Sequence, residues 1–132
     1  MLNNKSLQTF LAIGPLVAFV LLFIGYFTFF FAIFTQVSTF EEMDSVGNPA
    51  PPTGIFVGLG VFFILIMLAL FLSLFSLIYF IIHAVKNPNL EGENSNMRIV
   101  WVLIMAFVGG IGQLIYWIVE IKSKDPRPII PN

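Results

Sequence analysis

Residues 54–85 read GIFVGLGVFFILIMLALFLSLFSLIYFIIHAV, a stretch without a single Asp, Glu, Lys or Arg. A helix needs about 20 apolar residues to cross the hydrocarbon core of a bilayer, and this stretch is longer than that. Its apolar run 64–72 offers no polar side to water, whereas a strand of a membrane β-barrel would alternate apolar and polar residues. The stretch therefore predicts a membrane-spanning helix that tilts in the bilayer or projects from it.

Two more charge-free stretches flank this one. The chain has 132 residues with six Lys and Arg and seven Asp and Glu, and none of these lies between Lys5 and Glu41 or between Arg98 and Glu120. The sequence thus predicts an all-α membrane protein, one membrane domain over 1–132 with three transmembrane helices. The expected order is a first span over about 10–35, a loop over 36–53, a second span over about 54–85, a loop over 86–98, a third span over about 99–121 and a tail over 122–132. Because the second loop is short, helices 2 and 3 are expected to form an antiparallel hairpin.

The first span is predicted to be an uncleaved anchor. Its apolar region, residues 10–34, is longer than the apolar part of a signal peptide, and no Ala-x-Ala cleavage site follows it. Pro15 leaves two readings open. The membrane helix begins at Pro15, where the missing N–H is harmless, or a longer helix is kinked there.

The orientation of the chain depends on its third apolar stretch. With three full spans, the six Lys and Arg divide three against three between the two sides, so the positive-inside rule decides nothing. If the stretch instead turns back at Gly109–Gly112, all six lie on one side. Re-entrant backbone is tolerated only where protein or a cavity covers it, so a plain span is the prediction. Glu120 discriminates, because only a reversal returns it to the side of His83.

Few residues are candidates for chemistry. His83 is the only histidine and the chain has no cysteine, so no metal-ligand cluster, cofactor site or nucleophile–base pair is apparent. His83 and Glu120 are interpreted as interfacial residues. Ser73 and Ser76 are expected to bond to carbonyls of their own helix. The net charge of −1 argues against nucleic acid as a partner, and the chain is predicted not to be an enzyme.

Small residues and one amide point to close helix packing. Gly54 and Gly58 have the spacing that lets helix backbones approach, and Gln113 is an amide deep in an apolar stretch. The residues predicted to serve helix packing or a partner interface are Gly54, Gly58, Gly109, Gly110, Gly112 and Gln113. A phenylalanine ridge, formed by Phe27, Phe30, Phe31 and Phe34, faces either a partner or lipid.

The third stretch also carries a pattern of its own: Trp101, then Gly112 and Tyr116, with Arg98 before it and Lys122 after it. Over residues 60–124 this resembles the phospholipase D-nuclease N-terminal domain, the small membrane module that also opens bacterial cardiolipin synthases. Two features depart from that pattern: Gly109 stands where the module has proline, and the loop is acidic as well as basic. The catalytic His-x-Lys-x4-Asp motif of those enzymes is absent. The resemblance implies a catalytically inert protein of the bacterial inner (cytoplasmic) membrane.

The function expected from these observations is that of a non-catalytic accessory or regulatory subunit. It would sit among membrane lipids and pack against a larger integral membrane protein or complex. One alternative is a small homo-oligomeric channel or transporter component, with Ser73, Ser76 and Gln113 lining the pore. The other is a lipid-handling accessory protein, by analogy with the cardiolipin synthase module.

Overall fold

The structure is a computed structural model that describes residues 4–45, 53–90 and 95–123. All its regular elements are helical, which confirms the all-α prediction for these residues. The helices are α1 (Lys5–Ser45), α2 (Thr53–Val85), a 3-10 turn (Pro88–Leu90), α3 (Ser95–Val108), α4 (Gly110–Tyr116) and a π-helical segment (Trp117–Lys122). By length and composition, two stretches qualify as membrane spans, Lys5–Thr35 within α1 and Gly54–Val85 within α2.

Helix α1 is longer at both ends than the predicted first span. Its start is capped by Asn4, whose Oδ1 accepts hydrogen bonds from the backbone N–H groups of Ser6 and Leu7 at 3.0 and 3.2 Å. Residues 36–45, predicted as loop, continue the helix to Ser45. The polar residues after Thr35 end the apolar stretch, but polar residues do not end a helix. The prolines at 49, 51 and 52 that do break helices lie outside the described residues.

Helix α2 matches the predicted second span within a residue at its start, and the sequence Asn87-Pro88 accounts for its end. A residue before proline is forced out of the helical region, and Pro88 has no N–H with which to continue the ladder. The chain instead makes a 3-10 turn in which Leu90 N–H donates to the carbonyl of Asn87 at 3.0 Å. Asn87 Oδ1 also accepts a hydrogen bond from the N–H of Asn89 at 3.1 Å.

The single third helix predicted over 99–121 is wrong. The stretch is broken at Gly109, where φ is +63° and ψ is −134°. That combination lies outside the regions open to residues with a Cβ, so glycine is required there. The rings of Trp101 and Tyr116 lie 5.4 Å apart. In one continuous helix these residues would be about 22 Å apart, so the chain reverses between α3 and α4.

The reversal brings two backbones unusually close. A Cβ at Gly112 would lie only 2.7 Å from the carbonyl oxygen of Ile104, nearer than atoms can approach. Glycine therefore lets α4 pack directly on the backbone of α3. The turn itself keeps its hydrogen bonds, because Gly109 N–H donates to Met105 and the Gly109 carbonyl accepts from Gln113. The antiparallel pair that the structure shows here is formed by the two halves of the third stretch.

The described residues belong to two compact units, residues 18–69 and a unit built from 1–17 and 70–132. In the first, α1 and α2 pack through aromatic rings: Phe29 stacks on Phe62 at 6.0 Å, and Phe29 also covers Gly58. The second unit holds the buried core. Its members come from α1, α2, the 3-10 turn, α3 and α4: Leu11, Ala12, Phe80, Ala84, Leu90, Trp101, Met105 and Tyr116.

Candidate functional site

The second unit contains a group of buried polar side chains, here called the polar core. Its members are Gln8, Ser76, His83, Asn87, Gln113, Tyr116 and Glu120, and none is more than 6% exposed. Gln8 lies at the start of α1, Ser76 and His83 lie in the last part of α2, and Asn87 follows the end of α2. Gln113, Tyr116 and Glu120 lie on the returning arm, which is formed by α4 and the π-helical segment. Buried polar groups in an apolar surrounding are costly unless they bond to each other, so their contacts define what the site does.

Tyr116 is the centre of the polar core. Its hydroxyl oxygen lies 2.9 Å from Nδ1 of His83 and accepts a hydrogen bond from Nδ2 of Asn87 at 3.2 Å. On the other side of the imidazole, Nε2 of His83 lies 3.4 Å from the amide nitrogen of Gln8. An amide nitrogen can only donate, so Nε2 of His83 accepts the hydrogen bond from Gln8. The ring proton is then on Nδ1, which donates a hydrogen bond to the Tyr116 hydroxyl. Gln8 also bonds to Tyr79, which ties α1 to α2 a second time.

Ser76 joins three elements deeper in the unit. Its Oγ lies 2.6 Å from the backbone carbonyl oxygen of Leu11 and 2.5 Å from Oε1 of Gln113. The single proton of the Ser76 hydroxyl is donated to the Leu11 carbonyl. The contact with Gln113 is also a hydrogen bond when the Gln113 amide is oriented with its nitrogen toward Ser76, because that nitrogen then donates to Oγ. The expectation that Ser76 bonds to its own helix is wrong, because it bonds to α1 instead.

The Leu11 carbonyl is free to accept this bond because of Pro15. In an α-helix the carbonyl of residue 11 accepts from the N–H of residue 15, and proline has none. The helix does not begin at Pro15, which was one of the two interpretations of the sequence. It begins at Lys5, and Pro15 lies inside it. Ser76 of α2 therefore donates to the carbonyl that Pro15 of α1 leaves without a helical donor.

Two charged residues complete the site. Glu120 is 4% exposed and lies in the π-helical segment, and both Glu120 and Arg98 of α3 interact electrostatically with the Tyr116 hydroxyl. Glu120 and His83, interpreted from the sequence as interfacial residues, are both buried in the polar core. Single π turns occur often at functional sites, and Glu120 is the buried residue of this one.

The predicted packing residues occupy different surroundings. Gly112 contacts the backbone of α3, Gly110 lies near Pro15 and Leu16 of α1, and Gly109 forms the turn. Gly58 is covered by Phe29, whereas a Cβ at Gly54 would meet nothing within 4 Å. Gln113 bonds to Ser76, and of the resembling motif Trp101 and Tyr116 are in ring contact. The structure thus brings Gly109, Gly110, Gly112, Gln113, Trp101 and Tyr116 into one unit and leaves Gly54 open.

Sequence reasoning missed Gln8 and Asn87, gave His83 no role in a site, and considered Ser76 only as a pore residue of the channel alternative. A signal for them existed. Ser76, His83 and Asn87 are spaced i, i+7, i+11, and Gln113, Tyr116 and Glu120 are spaced i, i+3, i+7, so each set lies on one helix face. Two polar stripes in otherwise apolar helices indicate two faces that bury each other.

Comparison of the chain with protein-family models, curated proteins and solved structures finds no match. The resemblance to the phospholipase D-nuclease N-terminal domain therefore stays a prediction. Among residues 4–45, 53–90 and 95–123, no three His, Asp or Glu side chains come together as a metal site would require. The hydrogen bonds of the polar core join three segments of the chain: the start of α1, the end of α2 and the returning arm.

Proposed function

We propose that the chain is a non-catalytic integral membrane subunit that binds a larger membrane protein through its apolar helix surfaces. One observation carries the proposal: the buried polar side chains of the apolar stretches are gathered in the polar core, while the surface of the two long helices is covered mainly by large apolar side chains. Exposed large side chains cover both long helices, among them Phe31 at 65% and Phe63 at 60%. Such a surface supports binding in lipid rather than reaction chemistry.

The proposed arrangement has α1 and α2 as full spans and the third stretch as a re-entrant hairpin, in place of a third span. A Cβ at Gly110 would lie 3.9 Å from Pro15. Pro15 is ten residues from Lys5, or about 15 Å along α1, which is half of a 30 Å core. The turn at Gly109 would thus reach the middle of the bilayer. Packing against α1 and the polar core would cover its backbone, as a re-entrant segment requires.

This arrangement also gives one orientation. With the third stretch reversed, all six Lys and Arg fall on one side of the membrane, and the positive-inside rule makes that side cytoplasmic. Glu41, Glu42 and Asp44 fall on the opposite side. Following the resemblance named above, we assign the protein to a bacterial inner membrane.

The proposed partner surface is the phenylalanine ridge of α1. Phe27, Phe30 and Phe34 are all exposed, and their rings belong to a row in which Phe23 contacts Phe27 at 4.9 Å and Phe30 contacts Phe34 at 4.8 Å. Rings that support one another in this way have few conformations to lose on binding, which lowers the entropic cost of an interface. We do not propose a channel, because the expected pore residues Ser76 and Gln113 bond to each other inside the chain.

The test is site-directed photo-crosslinking in intact membranes, combined with capture through a tag on the C-terminal tail and mass spectrometry. The crosslinking amino acid replaces Phe34 on the ridge or, as a matched control, Leu21, which is equally exposed on α1 at 63% against 61%. Leu21 points about 140° away from Phe34 around the helix. A partner on the ridge gives a crosslinked product of defined mass from position 34 and not from position 21.

Two outcomes would contradict the proposal. Equal labelling of lipid from both positions would assign the ridge to the bilayer. Recovery of the chain in mild detergent only as a free monodisperse protein, with no large partner in stoichiometric amount, would remove the accessory-subunit function.

A further inference from the structure

The reversal of the third stretch gathers positive charge at one end of the second unit. Gln8 of α1 contacts His83 of α2. Lys5 lies one helical turn before Gln8, and Lys86 lies about one turn after His83. Both lysines therefore lie beyond this contact in the same direction. His83 contacts Tyr116, and the arm continues from Tyr116 to Lys122. In a straight third helix, Lys122 would lie at the far end.

The cations at this end are exposed, and the carboxylate is not. Lys5, Lys86 and Lys122 are exposed, whereas Glu120 is buried and shares its surroundings with Arg98. The neighbouring sequence adds Lys124 and Arg127 and the acidic residues Glu91, Glu93 and Asp125, all outside the described residues. Among the described residues at this end, Lys5, Lys86, Arg98 and Lys122 stand against one carboxylate, Glu120, so this end is positive.

An aromatic side chain accompanies the charge. The Nζ atom of Lys122 lies 5.5 Å from the ring centre of Trp117, close enough for a cation–π contact. Trp is typical of the headgroup level of a membrane, and lysine stems lie along apolar surface while their ammonium groups reach the phosphates. The three exposed lysines belong to three different segments, so the charge is distributed around this end and does not follow a single helix face.

We propose that Lys5, Lys86 and Lys122, here called the basic rim, bind anionic phospholipid headgroups. Charge complementarity selects this occupant: ammonium groups at the edge of an apolar helix bundle meet lipid phosphates, and a second negative charge in the headgroup strengthens the contact. A cation near an anionic membrane surface contributes about fivefold in affinity, so three contribute on the order of 100-fold. The lipid would be bound at the surface of the protein and would not be a substrate.

Native mass spectrometry of the purified full chain in detergent tests the proposal, with phosphatidylglycerol and phosphatidylcholine titrated separately. We expect phosphatidylglycerol to be retained at concentrations at which phosphatidylcholine is not, and its retention to fall as salt rises. The variant Lys5→Gln/Lys86→Gln/Lys122→Gln should lose most of this preference. The control Lys5→Arg/Lys86→Arg/Lys122→Arg keeps the charges and should keep the preference.

Equal retention of the two lipids by the unaltered protein would overturn the proposal, as would a glutamine variant with the full preference. The measurement needs neither a partner nor a defined side of the membrane. Its failure is therefore separate from a failure of the proposed accessory function.

Discussion

At the scale of single residues, the Ser76 hydroxyl supplies the hydrogen bond that Pro15 removes from α1. The Leu11 carbonyl has no helical donor and bonds to Ser76 at 2.6 Å. An unsatisfied carbonyl in an apolar surrounding costs about 1–3 kcal/mol, and the hydrogen bond from Ser76 offsets this cost. Each residue alone looks unremarkable in the sequence, and only their contact explains them.

This pairing predicts a non-additive pair of substitutions. We expect Ser76→Ala to lower the free energy of unfolding by about 1–3 kcal/mol. In a Pro15→Ala background, the new N–H of residue 15 can bond to Leu11, so the same substitution should cost about 1 kcal/mol less. The measurement is a double-mutant cycle of unfolding in mixed micelles. An equal cost of Ser76→Ala in both backgrounds would contradict the pairing.

The polar core was only partly predictable from the sequence. Gln113 stood out because an amide in an apolar stretch needs a partner, and it has one in Ser76. His83 and Glu120 did not, because they lie near the ends of apolar stretches, where polar residues ordinarily meet water. Their burial depends on the returning arm, and nothing local to either residue reports where that arm runs.

At the scale of elements, glycine decides whether the third stretch is one helix or two. Gly109 has a backbone conformation that other residues avoid, and Gly112 allows α4 to touch the backbone of α3. The two long helices were predictable, since a long apolar run has few alternatives in a membrane. The break at Gly109–Gly112 was considered only as the alternative to a plain span, because Gly-rich segments in membrane helices more often serve close packing of straight helices.

We therefore expect Gly112→Ala to disrupt the hairpin. The added methyl group would meet the Ile104 carbonyl at 2.7 Å, and overpacking of this kind costs about 1–3 kcal/mol. The matched control is Gly60→Ala, where nothing lies within 4 Å and alanine favours the helix. Unfolding in mixed micelles should show a loss for the first variant and no loss for the second. Equal stability of the two variants would contradict the contact between α3 and α4.

At the scale of the whole molecule, the proposed topology places the start of α1 and Ser123 on one side of the membrane and the end of α1 on the other. The protein has no cysteine, so single cysteines can report the side of the membrane. We expect Ser6→Cys and Ser123→Cys to share one side, because the third stretch returns. Ser45→Cys, at the end of α1, should lie on the other side.

The measurement is labelling with a membrane-impermeant maleimide in spheroplasts, before and after the membrane is opened. A re-entrant hairpin leaves positions 6 and 123 protected in intact spheroplasts and position 45 reactive. Reaction at position 123 together with position 45, and not with position 6, would restore the plain third span and remove the six-to-none charge asymmetry.

The turn at Gly109 also bears on how the protein is made. A stretch that reverses at mid-depth cannot enter lipid by itself, because the backbone at the turn would meet hydrocarbon without cover. Its docking surfaces, the Leu11–Pro15 region and the Ser76–Asn87 face, lie on helices that the ribosome synthesises earlier. In the proposed arrangement, the re-entrant stretch is therefore synthesised after the two helices that it packs against, and biogenesis in chain order delivers it to a helix pair already inserted.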